Sequence, residues 1–143
     1  MTPTAGKRRS QGEAGSATVW MVFATVIVLA VCGLVYDGGT LITAKQQALN
    51  NAETAARAGA QAIDLNTLYT GGPARLDPNE ATARADAFLH ANGWTGTATA
   101  TTTAVTVTVT ITQPMTFLQT FGLGPRVVNG TATAQAQQGF ANP

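Results

Sequence analysis

The chain is poor in the residue types that most enzyme and metal sites require. It has one cysteine, Cys32, and one histidine, His90, so a single chain can form neither a disulfide framework nor a Cys/His zinc cluster. Charged residues make up 10% of the 143 residues, where about 25% is usual for a soluble domain. The net charge of the whole chain is +1, which does not indicate nucleic-acid binding, because such binding normally requires a strongly basic face.

Catalytic and ligand-binding motifs are missing as well. The sequence contains no serine nucleophile elbow, no phosphate-binding glycine-rich loop, no His-x-x-x-His pair and no acidic metal cluster. His90 has no acid or nucleophile beside it, which indicates a solvated surface residue. We therefore expect no enzyme activity, no catalytic residue, no metal and no cofactor. Neither nucleic acid nor a small-molecule substrate is expected as a partner.

One long segment carries no charge at all. Residues 17–36 read ATVWMVFATVIVLAVCGLVY. A helix of this length spans about 30 Å, which is the hydrocarbon thickness of a bilayer. Trp20 and Tyr36 lie near its ends, where amphipathic rings favour the headgroup region. The segment is predicted to be a transmembrane helix in contact with the lipid bilayer, and Cys32 within it to be an inert apolar side chain.

The flanking charges predict an orientation for this helix. Residues 1–16 carry three basic side chains and one acidic one, whereas residues 37–143 carry five basic and six acidic side chains. Because basic flanks stay in the cytoplasm, residues 1–16 are expected to be a basic cytoplasmic tail. Residues 37–143 then form an extracytoplasmic domain of a single-pass plasma-membrane protein. A cleaved signal peptide is the alternative, but its apolar core is usually shorter than this one.

Beyond the span, residues 41–64 predict a second helical segment, since they lack proline and are rich in alanine, with glutamine, leucine and lysine as further helix formers. Small residues recur on one face at three- and four-residue steps. They are Ala44, Ala48, Ala52, Ala55, Gly59 and Ala62. This face is expected to pack on the domain's own sheet or, alternatively, to bind a partner. Gly38 and Gly39 could hinge the two helices or let one long helix bend.

The remaining residues predict one short helix and a small antiparallel sheet. Asp77, Pro78 and Glu80 form a capping box that opens a helix, which Asn92 and Gly93 end. Residues 65–77, before this helix, are expected to be a loop.

Alternation of valine and threonine over residues 105–112 indicates a half-buried strand. A break in this period at residues 101–103 predicts a bulge or tight turn that joins it to a preceding strand. Residues 127–137 are expected to form a third strand. Residues 114–123 predict a short helix or turn that caps the sheet, touches the membrane surface or binds another subunit.

Four segments together resemble the N-terminal region of TadE/TadG-like proteins of the tight-adherence (Flp) pilus-assembly machinery, of the actinobacterial type. They are GSATV at 15–19, DGG at 37–39, AKQQ at 44–47 and AARAGAQA at 55–62. The resemblance covers residues 8–64 and depends on order and spacing. It implies a membrane-anchored structural or assembly component of a pilus or related secretion system, whose partners are other pilus-assembly or secretion proteins. A membrane-tethered extracellular binding module unrelated to pili is the alternative.

The expected fold class is therefore α+β and pilin-like. A transmembrane helix continues into a long amphipathic helix, which packs with a short helix on a small antiparallel sheet. The candidate helix-packing interface consists of Ala48, Ala52, Ala55 and Gly59. Gly15 stands where a prepilin peptidase cleaves pilin-like relatives, but the fifth residue after it is Trp20 instead of glutamate. This departure favours a TadG-like anchor over a processed subunit.

Overall fold

A computed structural model describes residues 13–136, so most of the predicted basic tail lies outside the described residues. The first element, α1, is an uninterrupted α-helix, Glu13–Gly59, of 47 residues. Gly38 and Gly39 lie inside it without a break, so the two predicted helical segments form one helix. Within the described residues, α1 is the one helix that is long and apolar enough to cross a membrane.

Two shorter helices follow, α2 (Leu65–Tyr69) and α3 (Pro78–Ala91). The prediction of a loop over residues 65–77 is therefore wrong for its first part. The carboxylate of Asp64 accepts the N–H groups of Asn66 and Thr67, at 3.0 and 3.4 Å, and this cap starts α2. A single isolated bridge between Ile63 and Leu76 closes the loop.

The capping of α3 follows the sequence prediction at one of its two carboxylates. Asp77 accepts the N–H groups of Asn79 and Glu80, at 2.9 and 3.2 Å, and Gly93 has the positive φ that ends the helix. The Glu80 carboxylate instead pairs with Arg84 one turn later on the surface. The capping box is thus half formed, because an adjacent guanidinium competes for the second carboxylate.

Helix α1 ends at Gly59, five residues before the predicted end. The backbone of α3 approaches so closely there that a Cβ on Gly59 would lie 2.8 Å from the carbonyl oxygen of Ala81. The chain then turns, with the N–H of Ala62 donating to the carbonyl of Gly59 at 3.0 Å. Ala62 is consequently outside the helix although it remains buried.

Three antiparallel strands form the sheet: β1 (Thr95–Ala100), β2 (Ala104–Gln113) and β3 (Arg126–Gln135), in the order β1-β2-β3. The tight turn predicted at residues 101–103 is confirmed, with the N–H of Thr101 donating to the carbonyl of Ala104 at 2.8 Å. Strand β3 begins one residue before the predicted third strand and ends at Gln135. The last predicted residue, Gln137, lies outside the described residues.

The core lies between the inner face of the sheet and the two longer helices. Val105, Val107 and Val109 of β2 are at most 1% exposed and pack with the buried alanines of α1 and α3. The alternate threonines of β2 face the other side, where two of them pair with threonines of β3 at 2.9 and 3.0 Å. The α+β fold class is confirmed.

Candidate functional site: the helix–domain junction

The small residues of α1 are buried by the chain's own domain. Ala48, Ala52 and Ala55 each have no exposed surface, and Gly59 lies against Ala85 and Val105. Strand β3 crosses this face even more closely. A Cβ on Gly130 would lie 2.2 Å from the carbonyl carbon of Ala48. The helix and the strand therefore touch backbone to backbone, and the small residues of the interface allow this approach.

Replacing Ala52 with leucine is expected to destabilise the fold by about 1–3 kcal/mol, because the added side chain must enter a filled contact. The same is expected for Ala55→Leu. Loss of the protein from the membrane fraction, measured by immunoblot, checks the prediction.

Gln46→Glu and Gln61→Glu are the matched controls, since both glutamines are exposed. Their effect should stay within about 0.5 kcal/mol. Normal levels of both leucine variants, together with normal recovery of partner proteins, would contradict any role of this face.

Asp37 is a polar residue that joins α1 to the domain. It follows the uncharged segment directly, and its side chain is fully buried. One carboxylate oxygen, Oδ1, accepts the N–H of Thr116 at 3.0 Å. The other, Oδ2, accepts the N–H groups of Phe117 and Leu118 at 3.0 and 2.7 Å. A single side chain thus holds the first residues of the connection between β2 and β3 on α1.

Burial and hydrogen bonding have opposite effects on the pKa of Asp37. Burial raises the pKa of its carboxyl group, whereas the hydrogen bonds from Leu118, Thr116 and Phe117 lower it. The three N–H donors together outweigh the desolvation, so the pKa lies below its ordinary value of 3.8. The carboxylate is therefore ionised at neutral pH.

The connection held by Asp37 is the β2–β3 loop (residues 114–125), which contains a 3₁₀ turn at Leu118–Phe121. Its Phe117 packs on α1: a Cβ on Gly33 would lie 2.9 Å from the Cβ of Phe117. The rings of Phe117 and Tyr36 meet edge to face, with centroids 5.5 Å apart. Met115, at the start of the loop, is 3% exposed and continues the core toward this junction.

An open apolar groove of about 610 Å³ lies between α1 and this loop. Its walls are the last turns of the uncharged segment on one side and Phe117, Leu118 and Phe121 on the other. No charged side chain lines it. Cys32 also faces the groove.

Processing at Gly15 stays a prediction. Gly15 lies in the first turn of α1, where an added Cβ would have nothing within 4 Å. Among residues 13–136, no three His, Cys, Asp or Glu side chains come close enough together to hold a metal ion.

The contacts of this junction that the sequence reasoning missed are those of Asp37, Gly33 and Gly130. The available signal for Asp37 was its place as the first charge after the long uncharged segment. Gly130 was assigned to a strand without any role in packing. The sequence gives no local indication that α1 crosses it.

Comparison with known proteins locates a family relationship in α1. No curated protein and no solved structure matches the chain significantly. A family model does match residues 15–62, and its description is Flp pilus-assembly TadE/G-like. The matched residues begin in the first turn of α1 and end three residues beyond it. Residues 15–62 of this chain are therefore similar to the TadE/G-like segment of Flp pilus-assembly proteins.

Proposed function

We propose that this protein is a membrane-anchored structural or assembly component of a Tad (Flp)-type pilus or related secretion system. In this proposal the uncharged part of α1 crosses the plasma membrane with the N-terminus in the cytoplasm. The domain built on the rest of α1 lies outside the cytoplasm and contacts other pilus-assembly or secretion proteins.

The observation that carries the proposal is the coincidence of the family match with α1. The same helix has two surfaces of opposite kinds. The most apolar 18-residue window of α1 has a mean hydropathy of 2.5, and only 6% of this window is buried. The small residues of its other half are fully buried by the domain. An apolar helix surface that the chain itself leaves uncovered is suited to lipid.

Contacts rather than chemistry are the proposed mode of action. The buried Asp37 has its hydrogen-bonding capacity used by three backbone donors, which suits a structural part more than a reactive one. His90 on α3 is exposed to solvent. The role in pilus assembly that the family match supports requires no reaction from the chain.

Topology is tested first by fusing alkaline phosphatase to the C-terminus of the full chain and by fractionating the cells. We expect an active fusion in the membrane fraction that alkaline carbonate does not extract. An inactive fusion in the membrane would contradict the orientation, and a carbonate-soluble protein would contradict the anchoring.

Function is tested by co-purifying partners from gently solubilised membranes of the native host. Recovery of a secretion ATPase and polytopic inner-membrane assembly proteins is the expected result. Genes for such proteins next to this one would support the same conclusion. A domain that instead binds a small molecule, in a host without these genes, would favour the tethered binding module.

A further inference from the structure

We propose that the β2–β3 loop is a second lipid-binding element, which inserts into the outer leaflet beside the end of the transmembrane segment. The inference depends on the anchoring proposed above. The loop contains no charged residue. Its Phe121 is 74% exposed, Phe117 is 49% exposed and Leu123 is 39% exposed. Large apolar side chains that lie exposed together on a small domain mark a contact surface.

The position of the loop along α1 puts these side chains at the membrane boundary. Phe117 contacts Gly33 and Tyr36, and Tyr36 is the last residue of the uncharged segment. Gly33 lies three residues earlier, which corresponds to about 4.5 Å along a helix. Interfacial elements bury their apolar face about 5–10 Å into the boundary between headgroups and acyl chains. The loop is therefore at the depth where a bilayer surrounding α1 would meet it.

The backbone of the loop is equipped for an apolar medium. The N–H groups of Thr116, Phe117 and Leu118 all donate to Asp37. Two further N–H groups inside the turn are also used: Gly122 donates to Gln119 at 3.0 Å and Leu123 to Leu118 at 3.1 Å. Backbone groups that leave water for lipid must be hydrogen-bonded within the protein, because an unsatisfied group there is costly. In this chain Asp37 makes three of these bonds.

Lipid is also the occupant that suits the groove. The groove is uncharged, and one of its walls is the same helix surface that the proposed bilayer covers. The lining is thus mainly apolar from the span to Phe121, with Thr120 as a polar member, and no charged side chain separates a lipid-facing part from another contact. Acyl chains next to the span would fill the groove from the side.

The test measures quenching of tryptophan fluorescence by lipids brominated on the acyl chain, with the full chain in vesicles. Trp20 and Trp94 are first replaced by phenylalanine, and Phe121→Trp then supplies the reporter in the loop. We expect a blue-shifted emission that brominated lipid quenches, more strongly when the bromine is near the glycerol than when it is near the chain end.

Two further single-tryptophan proteins make the result specific. A protein that keeps only Trp20 reports the anchoring itself and should be quenched. Tyr69→Trp in the tryptophan-free background is the matched control, because Tyr69 is an 85% exposed aromatic residue on α2, beyond the distal end of α1. It should show no quenching.

The outcomes separate the inference from the proposed function. Quenching of Trp20 without quenching at position 121 would overturn the lipid contact and leave the anchoring intact. A blue shift at position 121 without quenching would assign the loop to a second copy or another protein, and so overturn the inference. Equal quenching at positions 121 and 69 would also overturn it. An unquenched Trp20 would contradict the anchoring and the inference together.

Discussion

Replacing Gly130 with alanine is expected to destabilise the domain by about 3 kcal/mol or more, at the upper end of what overpacking costs. The added Cβ would lie 2.2 Å from the carbonyl carbon of Ala48 and 2.3 Å from the nitrogen of Leu49. Both are backbone atoms in the middle of α1, so neither can rotate away. Strand β3 must then move off the helix and uncover the core. Thermal unfolding of the full chain in detergent, followed by Trp94 fluorescence, measures the loss.

Gly124→Ala is the matched control for this substitution. Gly124 lies in the loop before β3, and an added Cβ there meets nothing within 4 Å. Its effect should stay within about 0.5 kcal/mol. An unfolding temperature for Gly130→Ala equal to that of Gly124→Ala would contradict the backbone contact between β3 and α1.

Asp37→Asn is expected to release the β2–β3 loop from α1, although asparagine has nearly the same shape. Both carboxylate oxygens of Asp37 accept from backbone N–H groups, and asparagine offers only one oxygen. The NH₂ group of the asparagine would face a backbone N–H group, which cannot accept a hydrogen bond. The amides of residues 116–118 should therefore lose most of their protection from hydrogen exchange, whereas those of β2 should keep theirs.

Asp64→Asn provides the comparison, because this substitution should be tolerated. The Oδ1 atom of Asp64 accepts the two amides of its cap, and its Oδ2 atom faces the hydroxyl of Thr67 at 2.7 Å. A hydroxyl can accept from an asparagine NH₂ group, whereas a backbone N–H cannot. If Asp37→Asn and Asp64→Asn alter exchange at their own sites equally little, the three bonds to Asp37 are not what holds the loop.

The pH dependence of the Asp37 contact has a definite sign. Because the pKa of Asp37 is lower in the folded chain than its ordinary value of 3.8, the contact adds stability above pH 3.8. This stability is lost as the pH falls through the folded pKa. The amide chemical shifts of residues 116–118 should therefore stay constant near neutral pH and move toward loop values in acid. Asp37→Asn should remove this transition.

The elements that the sequence predicted well are those whose signals are local. The Asp77 cap of α3, the alternation along β2 and the small face of α1 each lie within one segment, so propensity and periodicity suffice to predict them. The bonds from Asp37 join residues 79 to 81 positions apart. No periodicity relates such distant residues. The loop was accordingly expected to be a helix or turn with three open roles, and its attachment to α1 was not anticipated.

The same restriction to local signals applies to the small face of α1 in the candidate site. The small face of α1 was recognised because Ala48, Ala52 and Ala55 recur at helical spacing. The element that covers it could not be identified, because Gly130 gains its importance only once β3 lies across the helix. Similarly, Gly59 was recognised as a member of the small face, but its close approach to Ala81 exists only once α3 packs on α1.

The continuity of α1 has a mechanical consequence. A flexible linker between a span and its domain would absorb rotation and tension. Here Gly38 and Gly39 remain helical, and Asp37 fastens the β2–β3 loop at the same level. Under the proposed anchoring no flexible segment separates the span from the domain. A torque on the domain therefore turns the span about its axis by the same angle. A pulling force that a growing filament exerts on the domain would likewise act directly on the intramembrane helix. The chain would then transmit force across the membrane surface as one rigid body.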